Sequence, residues 1–307
     1  MRRRRLGRTG LTLSECTLGT ATLAQVDPQQ ARAAIARAFD RGIDAVEMRA
    51  GDGAAAALLR DAGHREIHVL ARVDSLIPFD LPSPHVLAHQ AYPGHHIRAQ
   101  AEALLTALRV ERLGVLLLPD WCPEWLEEGD WRETLQRLRD EGKIAGFGIA
   151  LFDHDADAGL SAVASGAIDC VEVMVNLFDP SAAVALLPLC QKHDVGVIAR
   201  SPLHYGALAA RSPDWTRTLP REDWRRSYFF DAYRHETHQR VERIARGIPG
   251  VATAALALQF AQSSLAVSTV AVGMTQAAHV DANLGYFGTD PLSSAQFALL
   301  SSHKWLC

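Results

Sequence analysis

Residues 42–59, GIDAVEMRAGDGAAAALL, run from an apolar stretch into a row of small residues and carry four ionisable side chains, Asp44, Glu47, Arg49 and Asp52, with no hydroxyl or aromatic among them. Arg72 closes the run VLAR, Glu172 lies inside CVEVMV, and Arg200 and His204 follow GVIA. A carboxylate beside a fixed cation does proton chemistry at neutral pH only when burial shifts its pKa, and the planar guanidinium fork suits a carboxylate, a phosphate or an enolate. Asp52 and Glu172 are therefore candidate general acids or bases, and Glu47 with Arg72 a candidate ion pair. Arg72 and Arg200 are candidate clamps on an anionic group, and His204 is a second acid–base candidate.

These residues sit at the ends of segments rich in Val, Ile and Leu. Eight such segments, at 16–21, 44–48, 67–73, 114–119, 146–151, 170–177, 195–201 and 268–273, read as strands. Helical patterns follow each of them, at 28–41, 54–61, 97–109, 131–141, 158–165, 181–193, 238–263 (broken near 247–250) and 277–284. Asp27 before Pro28 and Gly42 after the first pattern are helix start and stop signals. Eight strand–helix units predict a closed (β/α)8 TIM barrel of parallel, buried strands, forming one domain over residues 1–307. The segment RRLGRTGLTLSEC predicts a hairpin closing the barrel bottom. Two long connections, 74–96 and 202–237, are expected as loops over the C-terminal face, where barrels of this kind carry their chemistry.

Composition narrows the classes. The chain has 307 residues, is 48% hydrophobic and 21% charged, and carries a net charge of -4, which gives no general attraction to nucleic acid. The basic run Arg2 to Arg5 reads as a solvated chain start without a signal peptide. Five scattered cysteines (Cys16, Cys122, Cys170, Cys190, Cys307) show no metal spacing and read as reduced thiols of a cytoplasmic protein. No stretch is apolar for long enough to span a bilayer. The histidines of GHHIR (94–98) read as a loop leading into a helix at Ile97 rather than a metal site, and Gly146-x-Gly148 lacks the third glycine of a dinucleotide fingerprint. The aromatic segments DWCPEW (120–125) and DWRRSYFFDAY (223–233) read as partner surfaces or as loop packing, and the oligomeric state stays open.

In order and spacing, the segments RRLGRTGLTLSECTLGTAT, DEGKIAGFGIALF, CVEVMVNLFDP, HDVGVIARSPLHYGAL and VSTVAVGMTQAAHVDANLGYF resemble the aldo-keto reductase superfamily over nearly the whole chain. The resemblance implies carbonyl reduction with NADP(H). It also implies a tetrad in which a tyrosine gives the proton, a lysine paired with an aspartate acidifies it, and a histidine orients the carbonyl. All four places are changed here: the aspartate falls on Glu47, the tyrosine on Asp52, the lysine on Arg72 and the histidine on Pro119. The nicotinamide contacts change as well, to Ala150 and Leu151, to Glu172 for a glutamine, and to Arg200 for a stacking tyrosine. Of the cofactor-binding places, Gly19, Thr20, Ser201, Leu203, Gly273 and Asn283 are kept.

A carboxylate at Asp52 beside Arg72 is a poor proton donor to an alkoxide. The sequence therefore leads to an expectation of non-redox acid–base chemistry, of lyase, dehydratase, isomerase or cyclase type, on a small and anionic metabolite. A second expectation is an NADP(H)-dependent oxidoreductase with a displaced proton donor, Tyr205 or Tyr92. The third is a catalytically silent binding or regulatory subunit.

Overall fold

The computed structural model describes residues 1–63, 67–77, 86–210, 212–289 and 292–305. Part of the 74–96 connection, one residue of the 202–237 connection and Cys307 lie outside the described residues. Two short strands, β1 (Arg3–Arg5) and β2 (Thr12–Ser14), pair antiparallel as the expected hairpin. Eight parallel strands then close a barrel: β3 (Cys16–Gly19), β4 (Ala45–Arg49), β5 (His68–Arg72), β6 (Leu113–Leu118), β7 (Ile144–Ala150), β8 (Cys170–Met174), β9 (Gly196–Arg200) and β10 (Val267–Gly273), with β10 pairing back to β3. The (β/α)8 barrel expected from the alternating pattern is thus present, each strand lying within two residues of its expected start.

Helices α1 (Pro28–Asp40), α2 (Gly53–Asp61), α3 (Ala88–Ala91), α4 (Gly94–Leu108), α5 (Trp131–Asp140), α6 (Leu160–Ser165), α7 (Leu186–Lys192), α8 (Arg225–Tyr228), α9 (Asp231–Gly247), α10 (Thr253–Gln262), α11 (Ala277–Leu284) and α12 (Ser294–Ser301) surround it. Asp27 caps α1 through Gln29 and Gln30 amides. Four corrections concern the helices. The 238–263 pattern breaks where expected, after Gly247, but its first helix, α9, starts seven residues earlier, at Asp231. Helix α4 begins at Gly94, so both histidines of GHHIR lie in its first turn, with His96 Nε2 2.7 Å from the Asp74 carbonyl oxygen. The 181–193 helix starts only at Leu186 after a 3-10 turn. Helix α12 went unexpected, because its apolar residues follow no clear helical face.

The barrel interior explains how the strands both pack and present charge. Side chains alternate across a strand, so residues two apart share the inner face. Ala45, Leu70, Cys170, Ile198 and Ala271 fill the lower interior with Leu6 and Leu13 of the hairpin. One step further along the same inward rows come Glu47, Arg72, Glu172 and Arg200. Strands β4, β5, β8 and β9 are therefore apolar at their bases and ionic toward their C-terminal ends.

The hairpin plug depends on two glycines. Gly7 has a left-handed φ of +49°, and an added Cβ would lie 2.2 Å from the Gly196 nitrogen. A Cβ on Gly196 would lie 2.6 Å from the Leu6 carbonyl carbon. Neither backbone can yield without opening the barrel floor. Gly196→Ala is expected to lower the unfolding free energy by about 2 kcal/mol or more in urea titration. Gly53→Ala, with nothing within 4 Å, should stay within about 0.5 kcal/mol of wild type. Equal effects at the two sites would show that the plug does not constrain the fold.

Candidate active site

The inward charged residues form one alternating chain across the C-terminal mouth. Glu47 Oε1 lies 2.6 Å from Arg72 Nη2. Arg72 Nη1 lies 3.7 Å from Glu172 Oε1, and Arg200 Nε lies 3.8 Å from the same oxygen. Arg200 also ion-pairs with Asp153 and donates from Nη2 to the Leu151 carbonyl at 2.7 Å. The Tyr205 hydroxyl donates to the second oxygen of Asp153. Both guanidiniums are therefore engaged by carboxylates, which corrects the expectation that they stand ready to clamp an anionic group.

Glu172 is the most constrained member. It is 0% exposed, and neither carboxylate oxygen accepts a hydrogen bond. Burial pushes its pKa up to about 7, with Glu47 and Asp153 adding to the rise and Arg72 and Arg200 opposing it. Burial works against the charge of Arg72, but Glu47, Glu172 and Asp120 outweigh it and keep the guanidinium protonated. Asp120, at the end of β6, has φ +53° and a pKa raised by burial, opposed by Arg200 and Arg72.

Glu47, Arg72, Glu172, Arg200, Ser201, Leu203, Gly19 and Gly273 all line one cavity of about 400 Å³, closed on one side by Tyr205, Trp224 and Arg225. The 202–237 connection thus covers the mouth as expected. Its first residues are held in unusual backbone: Ser201, His204 and Tyr205 all have positive φ. The Asn176 amide donates to the Ser201 carbonyl at 3.2 Å and fixes this bend.

Other expected residues lie elsewhere. Asp52 caps α2, accepting from the Ala55 amide at 2.9 Å, and borders a smaller adjoining cavity with Glu47 and Arg72. His204, read as an acid–base candidate, is buried. Its Nε2 lies 3.0 Å from the Tyr233 hydroxyl among Phe178, Tyr228 and Phe229, and burial pushes its pKa down to about 4. Thr20 and Asn283 are buried and are not among the residues lining the cavity. Tyr92 is buried too, edge-on to Trp125, with its hydroxyl donating to the Pro119 carbonyl at 3.0 Å. Trp121 and Trp125 of DWCPEW join that buried cluster, so this segment is packing rather than a partner surface. Among the described residues no group of His, Cys, Asp and Glu gathers to hold a metal, and no helix is long and apolar enough to cross a membrane.

Reading the sequence strand by strand missed the Asp153–Tyr205 link and the His154–Asp179 pair, whose atoms lie 2.8 Å apart. Asp153 and His154 lie just after β7, but their partners come from loops 52 and 25 residues away, respectively.

A carboxyl whose folded pKa is raised binds its proton more tightly folded than unfolded. The stability it contributes is complete below the unfolded value and is lost as pH rises toward about 7 for Glu172. The unfolding free energy is expected to fall between pH 4.5 and 7 by on the order of 3 kcal/mol more in wild type than in Glu172→Gln, as read by urea denaturation. Parallel pH curves for the two proteins would remove the titrating buried carboxyl.

The comparisons with known proteins agree on one family. The Aldo/keto reductase family profile matches residues 15–304. A D-threo-aldose 1-dehydrogenase of Pseudomonas sp is 29% identical over 198 residues, 62% of this chain and 56% of that protein, so the match spans about half the length of the relative. Among solved structures, the aldo-keto reductase AKR11C1 of Bacillus halodurans in its holo form superposes with a TM-score of 0.79 at 21% identity, covering 99% of this chain and 96% of that one. The glycerol dehydrogenase AKR11B4 of Gluconobacter oxydans gives 0.75 at 19%, covering 98% and 94%. A reductase family and dehydrogenase relatives overturn the expectation of non-redox lyase- or isomerase-type chemistry. With the barrel, the mouth and a match over 15–304, the chain belongs to the aldo/keto reductase family of oxidoreductases.

Proposed function

We propose that the protein is a nicotinamide-dependent oxidoreductase that interconverts an alcohol and a carbonyl on a small polar molecule, with Tyr205 in place of the family's usual proton-transfer tyrosine. The observation that carries this reading is that Gly19, Ser201, Leu203 and Gly273, kept from the family's cofactor-binding places, line the same cavity as Arg72, Glu172 and Tyr205. The relatives named as aldose and glycerol dehydrogenases support a hydroxylated substrate.

The residues present fit the nicotinamide end of such a cofactor. The Glu172 oxygens accept no hydrogen bond and Arg72 Nε donates none, so acceptors and a donor remain for a carboxamide where the usual Ser and Asn are Ala150 and Leu151. At Gly19 an added Cβ would lie 3.4 Å from the Gly273 nitrogen, so glycine keeps this side of the cavity open. The cofactor, when bound, supplies hydride exchange with the substrate carbon.

The proton is the chain's own task. Tyr205 borders the cavity, and its phenolic proton is already directed at Asp153. As an alcohol is oxidised, its hydroxyl proton passes to the Tyr205 oxygen while the phenolic proton moves to Asp153. The Asp153 side chain is 34% exposed and returns the proton to water. Arg200 ion-pairs with Asp153 and holds it in place. Tyr92, the other displaced candidate, is committed to the Pro119 carbonyl behind the barrel mouth.

Tyr205→Phe is expected to lower kcat by about 100-fold or more with a small change in KM, and Tyr92→Phe to keep kcat within a few-fold, in assays of polyol or aldose oxidation with NAD+ and NADP+. Full activity of Tyr205→Phe would remove Tyr205 from the reaction. No change in NADH or NADPH fluorescence at high protein concentration would remove the nicotinamide reading itself.

A further inference from the structure

The charge balance of the cavity has a direction built into it. Counting the groups that face Glu172, Arg72 and Glu47 come from β5 and β4, Arg200 from β9, and Asp153 from the segment after β7, while Asp120 beyond β6 acts through Arg72 and Arg200. With Glu172 ionised, the four carboxylates Glu47, Glu172, Asp153 and Asp120 outnumber the two guanidiniums by two, and with Glu172 protonated by one. Among the described residues no cation is left over for that surplus, since Arg225, the other guanidinium lining the cavity, is held by Asp223. Glu172 lines the cavity with both carboxylate oxygens buried and accepting no hydrogen bond, and its Oε1 lies 3.7 and 3.8 Å from the nearest atoms of Arg72 and Arg200. A buried, unmatched carboxylate is costly until a cation arrives.

We infer that Glu172 is the counter-charge for the oxidised, positively charged nicotinamide ring, so that this site binds the oxidised cofactor in preference to the reduced one and works in the direction of alcohol oxidation. This rests on the nicotinamide reading above and deepens it. The reduced ring is neutral and gains nothing from the carboxylate, whereas the oxidised ring offsets negative charge that the protein leaves uncompensated. The same substitution explains itself: a glutamine at this place holds the carboxamide without distinguishing the two redox states, and a glutamate adds that distinction. Since Glu172 titrates near pH 7, binding the oxidised ring below that pH must expel its proton, and binding the reduced ring must not.

The test is isothermal titration calorimetry of NAD+, NADH, NADP+ and NADPH with the whole protein at pH 6 and pH 8.5, in two buffers of different ionisation enthalpy. The expected result is release of close to one proton per oxidised cofactor at pH 6 and none at pH 8.5, with no release for the reduced forms. The ratio of oxidised to reduced affinity should rise by about tenfold or more between the two pH values. In Glu172→Gln both the proton release and the pH dependence should vanish, and the ratio should fall by about tenfold relative to wild type at pH 8.5. Because the wild-type pH series carries the test alone, it does not depend on that variant folding. Both redox forms binding with a pH-independent ratio and no proton release overturns this inference and leaves the oxidoreductase reading standing. Failure of all four cofactors to bind overturns both.

Discussion

A carboxylate at an inward position of a closed barrel is the constraint around which this mouth is built. Glu172 has barrel strands on both sides and no hydrogen-bond donor in reach. Leaving such a group ionised and alone costs several kcal/mol. Arg72 and Arg200 flank it, and each guanidinium must then be balanced in turn, which Glu47 and Asp153 do. Arg72 reaches two carboxylates at once, a task that suits a planar fork better than the compact ammonium of lysine. The exchanges at four strand ends therefore belong together, and replacing Arg72 or Arg200 alone would leave a buried carboxylate unmatched.

That interdependence accounts for the corrected functional expectation. Judged one place at a time, the arrival of charge looked like the making of a new acid–base site. In the folded chain nearly every introduced charge is answered by another, and Asp52, the residue in the tyrosine's place, is spent on capping α2. New charge at a barrel mouth is thus weak evidence for a new reaction when the partners are supplied within the same layer. Proton transfer has a different location available, the bend at Ser201 to Tyr205 on the opposite side of the mouth.

Much of the fold was legible because period and punctuation are local signals. Eight apolar runs gave eight strands, and the inward alternation Ala45/Glu47, Leu70/Arg72, Cys170/Glu172 and Ile198/Arg200 was already written in the sequence. The strand-end residues Glu47, Arg72, Glu172 and Arg200 were legible as one group in the same way, since inward residues near a barrel strand's C-terminal end face the mouth. What could not be read was which loop atom meets which strand end. Tyr205 reaches Asp153 from a bend in which Ser201, His204 and Tyr205 adopt positive φ, and His204 turns inward in the same bend. Helix α12 was missed because its contacts, not its apolar pattern, hold it in place.

The central claim is that one buried carboxyl, Glu172, keeps its proton up to neutral pH inside a ring of ion pairs. The most direct measurement is the protonated-carboxyl carbonyl stretch in infrared difference spectra recorded from pH 5 to pH 9 on wild type and Glu172→Gln. The account predicts a band in wild type that disappears with a midpoint near pH 7 and is missing from the variant. A spectrum with no such band, or one identical in the two proteins, would contradict it.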